Sequence, residues 1–346
     1  MSRRSLAIAM SSYFLPSESK IGAGHMAHRL ACAMSERGHD VTMFSPCARP
    51  DDAKYDHVQV SVARPMRTQR FALALRRLDL DRFDVFHAHG DDHLRFGRRT
   101  PVRVRTLHGS CFSEAVHIHG AKARAIMVAL GCTEVVGSLV ADTAVAVSKN
   151  TRHWYPWVRT VIPNGVDRDL FRPGEKTAKP TILFVGTYEQ RKRGRLLVEA
   201  FHEHVLPRVP DAKLWMVCSD APASRSVEVL GRLSDVELAE RYRSAWLFCL
   251  PSSYEGFGVP YIEAMASGTA VVATPNVGAR EVLAYGEFGV LAPPAQLGET
   301  LAGLLLDVDR RGSYATAGVA RAAAYDWGVV CAQYEDVYLR LLAVRP

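Results

Sequence analysis

The sequence shows no long apolar run, no pattern typical of a secretory leader and no short-period repeat. No stretch approaches the roughly 20 consecutive apolar residues that cross a bilayer, which argues against a membrane-spanning segment. Near the start, the apolar stretch from Leu6 to Met10 is too short for the core of a signal peptide, and no small-residue cleavage site follows it. We therefore interpret this stretch as a first β-strand. The dispersed apolar residues exclude a disordered or a fibrous chain.

The cysteines show no paired pattern. The seven cysteines are odd in number and scattered along the chain, and none belongs to a Cys-x-x-Cys motif. This usage argues against a disulfide framework and favours buried thiols in a reducing compartment. We expect a cytoplasmic protein, which lies peripherally at the inner membrane face if its basic half contacts lipid.

Acidic residues do not balance the basic ones in the first half of the chain. Residues 1–172 carry 25 Lys and Arg against 16 Asp and Glu, or +9, whereas residues 173–346 carry 18 against 20, or −2. A basic half suits nucleic acid, an anionic membrane or a phosphorylated substrate. The basic segments 64–83 and 97–106 lack the aromatic interleaving of nucleic-acid modules, so we expect no nucleic-acid partner.

Segment 64–83 allows two interpretations. Phe71, Leu75 and Leu78 follow a helical spacing, so the segment fits a solvated surface helix whose apolar stripe faces the core. The same cationic and partly amphipathic pattern fits peripheral contact with an acidic lipid surface, or with an anionic or lipid-linked acceptor.

Short β-rich runs alternate with helical patterns along the whole chain, and 346 residues suffice for two domains. The predicted strands are 6–10, 41–45, 58–62, 85–89, 102–108 and 143–148, then 181–186, 213–218, 227–231, 247–252 and 270–275. We predict an α/β fold with domains at residues 1–170 and 171–325 and a linker near 169–180, where apolar periodicity stops. Residues 326–346 predict a final helix, with apolar residues at Val329, Val330, Tyr334, Val337 and Leu341.

The strongest functional pattern is PSSYEGFGVPYIEAMASGTAVVATP, residues 251–275. A strand ends, a glycine-containing loop follows, Pro260 stands where a helix begins and Gly268 can end that helix. A helix start offers unbonded amides and a positive dipole end to an anion, and glycines let a phosphate approach the backbone. Glu255 and Glu263 flank this turn, where their carboxylates suit sugar hydroxyls better than phosphates. The alternative is an ordinary helix-capping loop with solvated glutamates.

The run YEGFGVPYIEAMASGTAVVAT resembles the Glu-(seven residues)-Glu signature of retaining GT-B glycosyltransferases, in particular glycosyltransferase family 4. Further similar blocks, from about Leu6 to Leu342, are GHDVTMFSP, FDVFHAHG, TLHGS, IPNGVDRDLF and LFVGTYEQRKRGRLLVEAF. The resemblance implies a GT-B fold of two Rossmann-like domains that face each other across a cleft. In that fold the first domain binds the acceptor, the second binds the nucleotide sugar, and a C-terminal helix crosses back to the first domain.

The resemblance also implies roles for individual residues. Glu255 matches the glutamate on the donor sugar, and Glu263 matches the glutamate on the nucleotide ribose. Arg191 and Lys192 match a basic pair on the donor diphosphate, and His108 matches a histidine that faces the donor sugar. Of these five, all but Glu263 are candidate catalytic residues. The remaining donor-binding candidates are small or main-chain contacts, namely Gly22, Gly24, Gly186, Gly256, Phe257, Gly258 and Val259.

Two positions depart from the family pattern. Many members carry Gly-Arg-Leu after the first strand of the second domain, whereas here Gly186 is followed by Thr-Tyr, and Arg191 is expected to replace the missing arginine. Ile21 stands in place of the first glycine of a Gly-Gly pair. This replacement leaves Gly22 and Gly24 as the glycines expected near the diphosphate.

Two other patterns are weaker. Residues 22–27 fit the dinucleotide fingerprint Gly-x-Gly-x-x-Gly/Ala, but eleven residues separate them from the first strand, so NAD binding is disfavoured. The pairs His87/His89 and His117/His119 have metal-ligand spacing, but no complete ligand set accompanies either pair, and ordinary strand-end histidines are favoured. We expect no cofactor and no metal requirement, because cations and a helix dipole would hold the diphosphate.

These patterns together predict a retaining glycosyltransferase. It would move a sugar from a nucleotide-sugar donor to an acceptor hydroxyl of a small metabolite, glycolipid or saccharide precursor. The donor base, the sugar and the acceptor depend on loop shape rather than on a motif. The alternatives are a GT-B sugar-nucleotide epimerase or phosphorylase, and a non-catalytic sugar-nucleotide-binding partner.

Overall fold

The computed structural model describes residues 4–19, 21–97, 101–118 and 120–344. They form two compact units. The first contains the chain up to Gly165 together with the residues from Trp327 onward, and the second is Val166–Asp326. The first crossing between units therefore lies at Gly165, before the predicted limit at residue 170.

The first unit is built on one parallel sheet of seven strands. In chain order the strands are β1 (Ala7–Ser11), β2 (Asp40–Ser45), β3 (Asp56–Gln59), β4 (Val85–Ala88), β5 (Val102–Leu107), β6 (Thr143–Ala146) and β7 (Thr160–Val161). Their order across the sheet is β3-β2-β1-β4-β5-β6-β7. The order reverses at β1, which is the doubly wound arrangement of a Rossmann-like domain. The alternation of strands and helices predicted the parallel sheet, and the family resemblance implied the Rossmann-like arrangement.

Five helices connect these strands: α1 (Gly22–Glu36), α2 (Arg67–Arg77), α3 (Cys111–His117), α4 (Ala121–Val140) and α5 (Lys149–Trp154). In α2, Phe71 and Leu75 are buried while the flanking arginines point outward, so the predicted inward stripe is confirmed for these two residues. Leu78, the third predicted member, caps the end of α2 and is partly buried.

The second unit is built on a parallel sheet of six strands in the order β10-β9-β8-β11-β12-β13. These strands are β8 (Thr181–Val185), β9 (Lys213–Val217), β10 (Val227–Val229), β11 (Leu247–Leu250), β12 (Ala270–Ala273) and β13 (Val290–Leu291). Its helices are α6 (Gly194–Ala200), α7 (Asp235–Ser244), α8 (Val259–Ala266), α9 (Val277–Val282), α10 (Leu297–Leu306) and α11 (Val308–Ala322). In each sheet the first strand pairs in parallel with a strand from the other half of the sheet, β1 with β4 and β8 with β11. Loops at the carboxyl ends of these strands are where ligands bind in such sheets.

The segment predicted as a linker, residues 169–180, is not free. Lys176 Nζ donates hydrogen bonds to the carbonyl of Arg243 at 2.9 Å and to Thr269 Oγ1 at 2.8 Å. Trp246 Nε1 donates to the carbonyl of Thr177 at 2.7 Å. Lack of apolar periodicity predicted a linker, but these hydrogen bonds fix the segment to the second unit.

The last helix, α12 (Trp327–Val344), belongs to the first unit. Val330, Tyr334 and Val337 are buried in the same core as Ile8 of β1. Of the predicted apolar positions, Val329 points outward and is 42% exposed. Arg37 holds the helix in place through a bidentate pair with Glu335, with distances of 2.6 and 2.8 Å.

Helix α4 corrects the expectation that no segment is apolar and long enough to cross a membrane. It has 20 residues, a window of 18 of them has a mean hydropathy of 1.6, and only 17% of that window is buried. Lys122 and Arg124 near its start and Glu134 near its end interrupt the apolar run in the sequence. Three separated charges therefore concealed a helix whose average hydropathy is high.

Candidate active site

The segment from β11 to α8 has the order predicted from the sequence, which is a strand, a glycine-containing loop and a helix. Gly258 precedes the helix with a φ of +103°, and a Cβ atom there would lie 2.4 Å from the ring of Tyr261, so only glycine fits this position. The helix begins at Val259, and Pro260 is its second residue. At the other end Gly268 has a φ of +65°, which confirms it as the residue that terminates the helix.

Three predicted residues meet beside this loop. The carboxylate of Glu255 is buried, and its Oε1 accepts hydrogen bonds from Lys192 Nζ at 2.7 Å and from Arg191 Nη1 at 2.9 Å. The arginine also donates to the carbonyl of Tyr254 at 3.0 Å. Glu255 is therefore not a solvated glutamate of an ordinary capping loop, and the alternative interpretation is wrong for this residue.

Burial and neighbouring charges shift the pKa values of this cluster in opposite directions. Burial raises the pKa of Glu255, but the charges of Lys192 and Arg191 outweigh it and keep that pKa below its ordinary value. Burial lowers the pKa of Lys192, although Glu255 and Glu263 both oppose that change. Glu263 is half-buried on α8 and lies within electrostatic reach of the lysine. The cluster combines two cations with two carboxylates at the start of a helix.

Gly186 belongs to the same cluster because it directly follows β8 and lies next to the lysine. A Cβ atom at Gly186 would lie 3.1 Å from Cβ and Cγ of Lys192, so the missing side chain lets the lysine stem pack there. Phe257 is buried and makes an edge contact with Tyr325 at 5.8 Å between ring centroids. Its side chain therefore anchors the loop, and the groups that it could offer to a ligand are those of its backbone.

Two residues that sequence reasoning missed hold the loop in place. Asn276, buried at the start of α9, donates from Nδ2 to the carbonyl of Ser252 at 3.1 Å and to Tyr261 Oη at 3.2 Å. Gly278 donates its amide to the carbonyl of Glu255 at 3.1 Å, and a Cβ atom there would clash with that backbone. The only available signal was an asparagine in an N-cap position after a strand, which is too common to indicate a site.

In the first unit, His108 follows β5 and is half-buried. Its Nε2 lies 2.8 Å from Nδ1 of His89, and the two rings stack with centroids 5.1 Å apart. Burial lowers the pKa of His108 to about 4, against a hydrogen bond with Asn164 that raises it. The histidine is consequently neutral at pH 7, and it lines a small cavity that also includes Met26 and Trp327.

Gly22 and Gly24 lie in the first turn of α1 in the same unit. A Cβ atom at Gly24 would lie 2.5 Å from the carbonyl oxygen of Phe14, so packing against the preceding loop requires this glycine. Gly22 has no neighbour that a Cβ atom would meet. The close approach to Phe14 therefore explains why residue 24 is a glycine, and no ligand is needed for that explanation.

The described pair His87 and His89 does not form a metal site. His87 Nδ1 lies 2.6 Å from Tyr338 Oη and its Nε2 lies 2.8 Å from Thr106 Oγ1, so both ring nitrogens have partners. Asp92 pairs with the buried Arg105. Within the described ranges, no three His, Cys, Asp or Glu side chains are placed to hold a metal ion. His119, the second member of the other predicted pair, lies outside the described residues.

Comparison with known proteins gives consistent matches in both units. Residues 21–170 match the model described as Glycosyltransferase Family 4, and residues 179–307 match the model described as Glycosyl transferases group 1. A phosphatidyl-myo-inositol mannosyltransferase of Mycobacterium tuberculosis is 30% identical over 348 residues, with 90% of each chain covered. A D-inositol 3-phosphate glycosyltransferase of Thermobispora bispora is 28% identical and covers 75% of this chain and 71% of its own length.

Solved structures support the fold. A sucrose-phosphate synthase of Thermosynechococcus elongatus superimposes with a TM-score of 0.81 and 21% identity, covering 98% of this chain and 99% of that one. The Anabaena protein HepE, solved with UDP and glucose, gives a TM-score of 0.73 and 15% identity, with 96% of this chain and 99% of that one covered. At these identities the similarity establishes two Rossmann-like domains of the GT-B class.

Proposed function

The chain belongs to glycosyltransferase family 4 and is a glycosyltransferase, and we propose that it transfers a sugar from a nucleoside diphosphate sugar with retention of anomeric configuration. The transferase relatives do not favour an epimerase, a phosphorylase or a non-catalytic partner. The single observation that carries the proposal is the cluster of Arg191, Lys192 and Glu255 at the start of α8.

This cluster suits a departing diphosphate. When the bond between the anomeric carbon and the phosphate oxygen breaks, the nucleoside diphosphate leaves with the bonding electrons and gains negative charge. Lys192 and Arg191 would stabilise that charge, helped by the amides that begin α8. The acceptor oxygen attacks on the same face, and a phosphate oxygen of the leaving group takes its proton. No enzyme nucleophile is needed, so Glu255 is left to accept hydrogen bonds from the sugar.

The other candidate residues complete the donor site in this proposal. Glu263 binds the ribose hydroxyls, and the backbone at residues 256–259 contacts the sugar. Gly186 keeps Lys192 in place, as its contact with the lysine stem supports. For the first unit, the family resemblance assigns Gly22 and Gly24 to diphosphate binding and His108, which is neutral at pH 7, to the sugar. We propose that no metal ion or other cofactor takes part, because protein cations neutralise the diphosphate.

We further propose that the acceptor carries a phosphate group, on a lipid or on a small polyol. According to their names, one relative acts on phosphatidyl-myo-inositol and another acts on D-inositol 3-phosphate. The first unit is rich in arginine, and α2 exposes Arg67, Arg70 and Arg77 beside Leu73. A cytoplasmic enzyme that reaches an anionic acceptor at the inner membrane face agrees with this surface.

Acceptor-dependent release of nucleoside diphosphate tests the proposal. The purified protein is incubated with UDP-, GDP- and ADP-sugars, each with and without phosphatidylinositol or inositol phosphate. We expect one donor to release its nucleotide only when an acceptor is present, and the product to keep the anomeric configuration of the donor. Release at equal rates without acceptor, or an inverted product, would contradict the proposed reaction.

A further inference from the structure

Helix α4 exposes an unusually apolar surface. Its first half is accessible almost all round, and Ile126 and Val128 are 49% and 44% exposed. Farther along, Val136 and Leu139 are 45% and 62% exposed, and Val116 of the neighbouring α3 is 66% exposed. Monomeric soluble proteins rarely expose a continuous apolar surface of this kind without a partner. The exposed members of α4 are Ala121, Lys122, Arg124, Ala125, Ile126, Val128, Ala129, Cys132, Val136 and Leu139.

The other side of α4 is fixed, so the apolar residues cannot turn inward. Gly131 packs against the ring of Phe112, where a Cβ atom would lie 2.6 Å from the ring, and Gly137 packs against the guanidinium of Arg105. Glu134, the only acidic residue of the helix, accepts hydrogen bonds from the amide of Cys111 at 2.9 Å and from the hydroxyl of Tyr155. The outward face therefore contains no carboxylate, and its charges are the two cations near its start.

The topology excludes a bilayer-spanning orientation for α4. The helix lies between β5 and β6 in the chain, and those strands are parallel neighbours, with Val104 opposite Thr143 and Leu107 opposite Ala146. A helix that crossed the bilayer once would place the two strands on opposite sides of it, and this pairing would be lost. The helix can only lie along a surface.

We propose that α4 is a membrane-docking helix, whose apolar surface enters the interface of an anionic bilayer while Lys122 and Arg124 contact lipid phosphates. The outward face of α4 has two cations and no carboxylate, which matches a bilayer with an apolar interior and negatively charged headgroups. A second copy of the chain would cover one seam of the helix, whereas residues 121–129 are accessible on almost every side. This rests on the proposed function and deepens it, because it assigns the lipid contact of the acceptor-binding unit to α4 and leaves the arginines of α2 to the anionic acceptor.

Vesicle co-sedimentation tests the docking helix without any substrate. We expect the full chain to bind phosphatidylcholine vesicles that contain phosphatidylglycerol, and to bind pure phosphatidylcholine vesicles less. The substitution Val128→Glu combined with Leu139→Glu should weaken binding at least about tenfold, because charged side chains must then leave the apolar region. Lys122→Glu should weaken binding to anionic vesicles about fivefold and leave neutral vesicles unaffected.

Matched controls make the result decisive. Val236→Glu, at a position 68% exposed on α7 of the second unit, should leave vesicle binding unchanged. Since Val128 and Leu139 are exposed, the double variant should keep its thermal midpoint and its nucleotide release with a water-soluble acceptor. Wild-type binding by the double variant would overturn the proposal, as would binding lost only in an α2 variant such as Arg70→Glu with Leu73→Glu.

Light scattering distinguishes a membrane-docking helix from a subunit interface at α4. If the wild type is a dimer that Val128→Glu dissociates, and neither form binds vesicles, α4 is a subunit interface and the proposal is wrong. Failure of acceptor-dependent nucleotide release would instead contradict the proposed reaction and leave the vesicle result standing. The two hypotheses therefore fail in different experiments.

Discussion

The Nζ atom of Lys192 lies 2.7 Å from Oε1 of Glu255, and the side chains of both residues are largely shielded from solvent. Arg191 Nη1 reaches the same oxygen at 2.9 Å, although this arginine is half exposed. One carboxylate oxygen thus positions two cations at the start of a helix that itself attracts anions. A diphosphate that enters this cluster meets cations whose positions are already set.

Removing the lysine should reduce turnover with little effect on folding. We expect Lys192→Ala to lower kcat about 100-fold, because a charge that stabilises the leaving group is lost. The neighbouring Arg195, exposed and paired with Glu189, gives a control, and Arg195→Ala should keep near-normal turnover. Steady-state kinetics and thermal midpoints of both variants measure the difference, and equal rates would remove Lys192 from the site.

Metal removal should leave the reaction unchanged. We expect full turnover after dialysis against excess EDTA, because Lys192, Arg191 and the helix start provide the positive charge that a divalent ion otherwise supplies. The measurement compares initial rates with EDTA and with added magnesium. A rate that falls in EDTA and returns with magnesium would contradict the metal-independent mechanism.

The anchor of α12 should contribute strongly to the stability of the first unit. Glu335 is mostly buried and bonds both Arg37 and His39, so Glu335→Ala should lower the free energy of unfolding by about 3 kcal/mol. The adjacent Asp336 forms an exposed pair with Arg340, and Asp336→Ala should cost less than about 0.5 kcal/mol. Urea unfolding of both variants gives the comparison. Similar losses of unfolding free energy in the two variants would show that Glu335 does not anchor α12.

Stability should fall in mild acid because buried histidines resist protonation. Burial lowers the pKa of His87 to about 3 and that of His108 to about 4, whereas both are near 6.5 in an unfolded chain. Between pH 6.5 and 4 the unfolded chain binds more protons, so each histidine contributes up to about 1.4 kcal/mol of lost stability per pH unit. His87→Gln should make the pH dependence less steep in urea titrations. An unchanged slope would mean that His87 titrates normally.

Much of the fold followed from residue patterns. The runs at 6–10 and 181–186 became central strands β1 and β8, because continuous apolar segments of that length suit a sheet covered on both faces. The glycine loop before α8 was also predictable, since Gly258 takes a backbone conformation that other residues avoid. Both signals are local, which is why the sequence alone carries them.

Long-range contacts were not predictable in the same way. Glu255 appeared as a sugar ligand, yet it is also the partner of two cations 63 and 64 positions away along the chain. The exposure of α4 was missed because charges at Lys122, Arg124 and Glu134 broke the apolar run, although only the two cations face outward. Which side of a helix faces solvent depends on residues that pack against it, here Phe112 and Arg105.

Nucleotide binding tests the central claim most directly. Thermal midpoints are measured with UDP, GDP, ADP, TDP and CMP for the wild type, Lys192→Ala and Glu263→Ala, with Arg195→Ala as the control. A nucleotide at about 100 times its dissociation constant should stabilise the wild type by about 2.7 kcal/mol. We predict that one nucleoside diphosphate raises the wild-type and control midpoints and that both site variants lose most of this shift. No shift with any nucleotide, or an equal shift in all four proteins, would contradict a donor site at the start of α8.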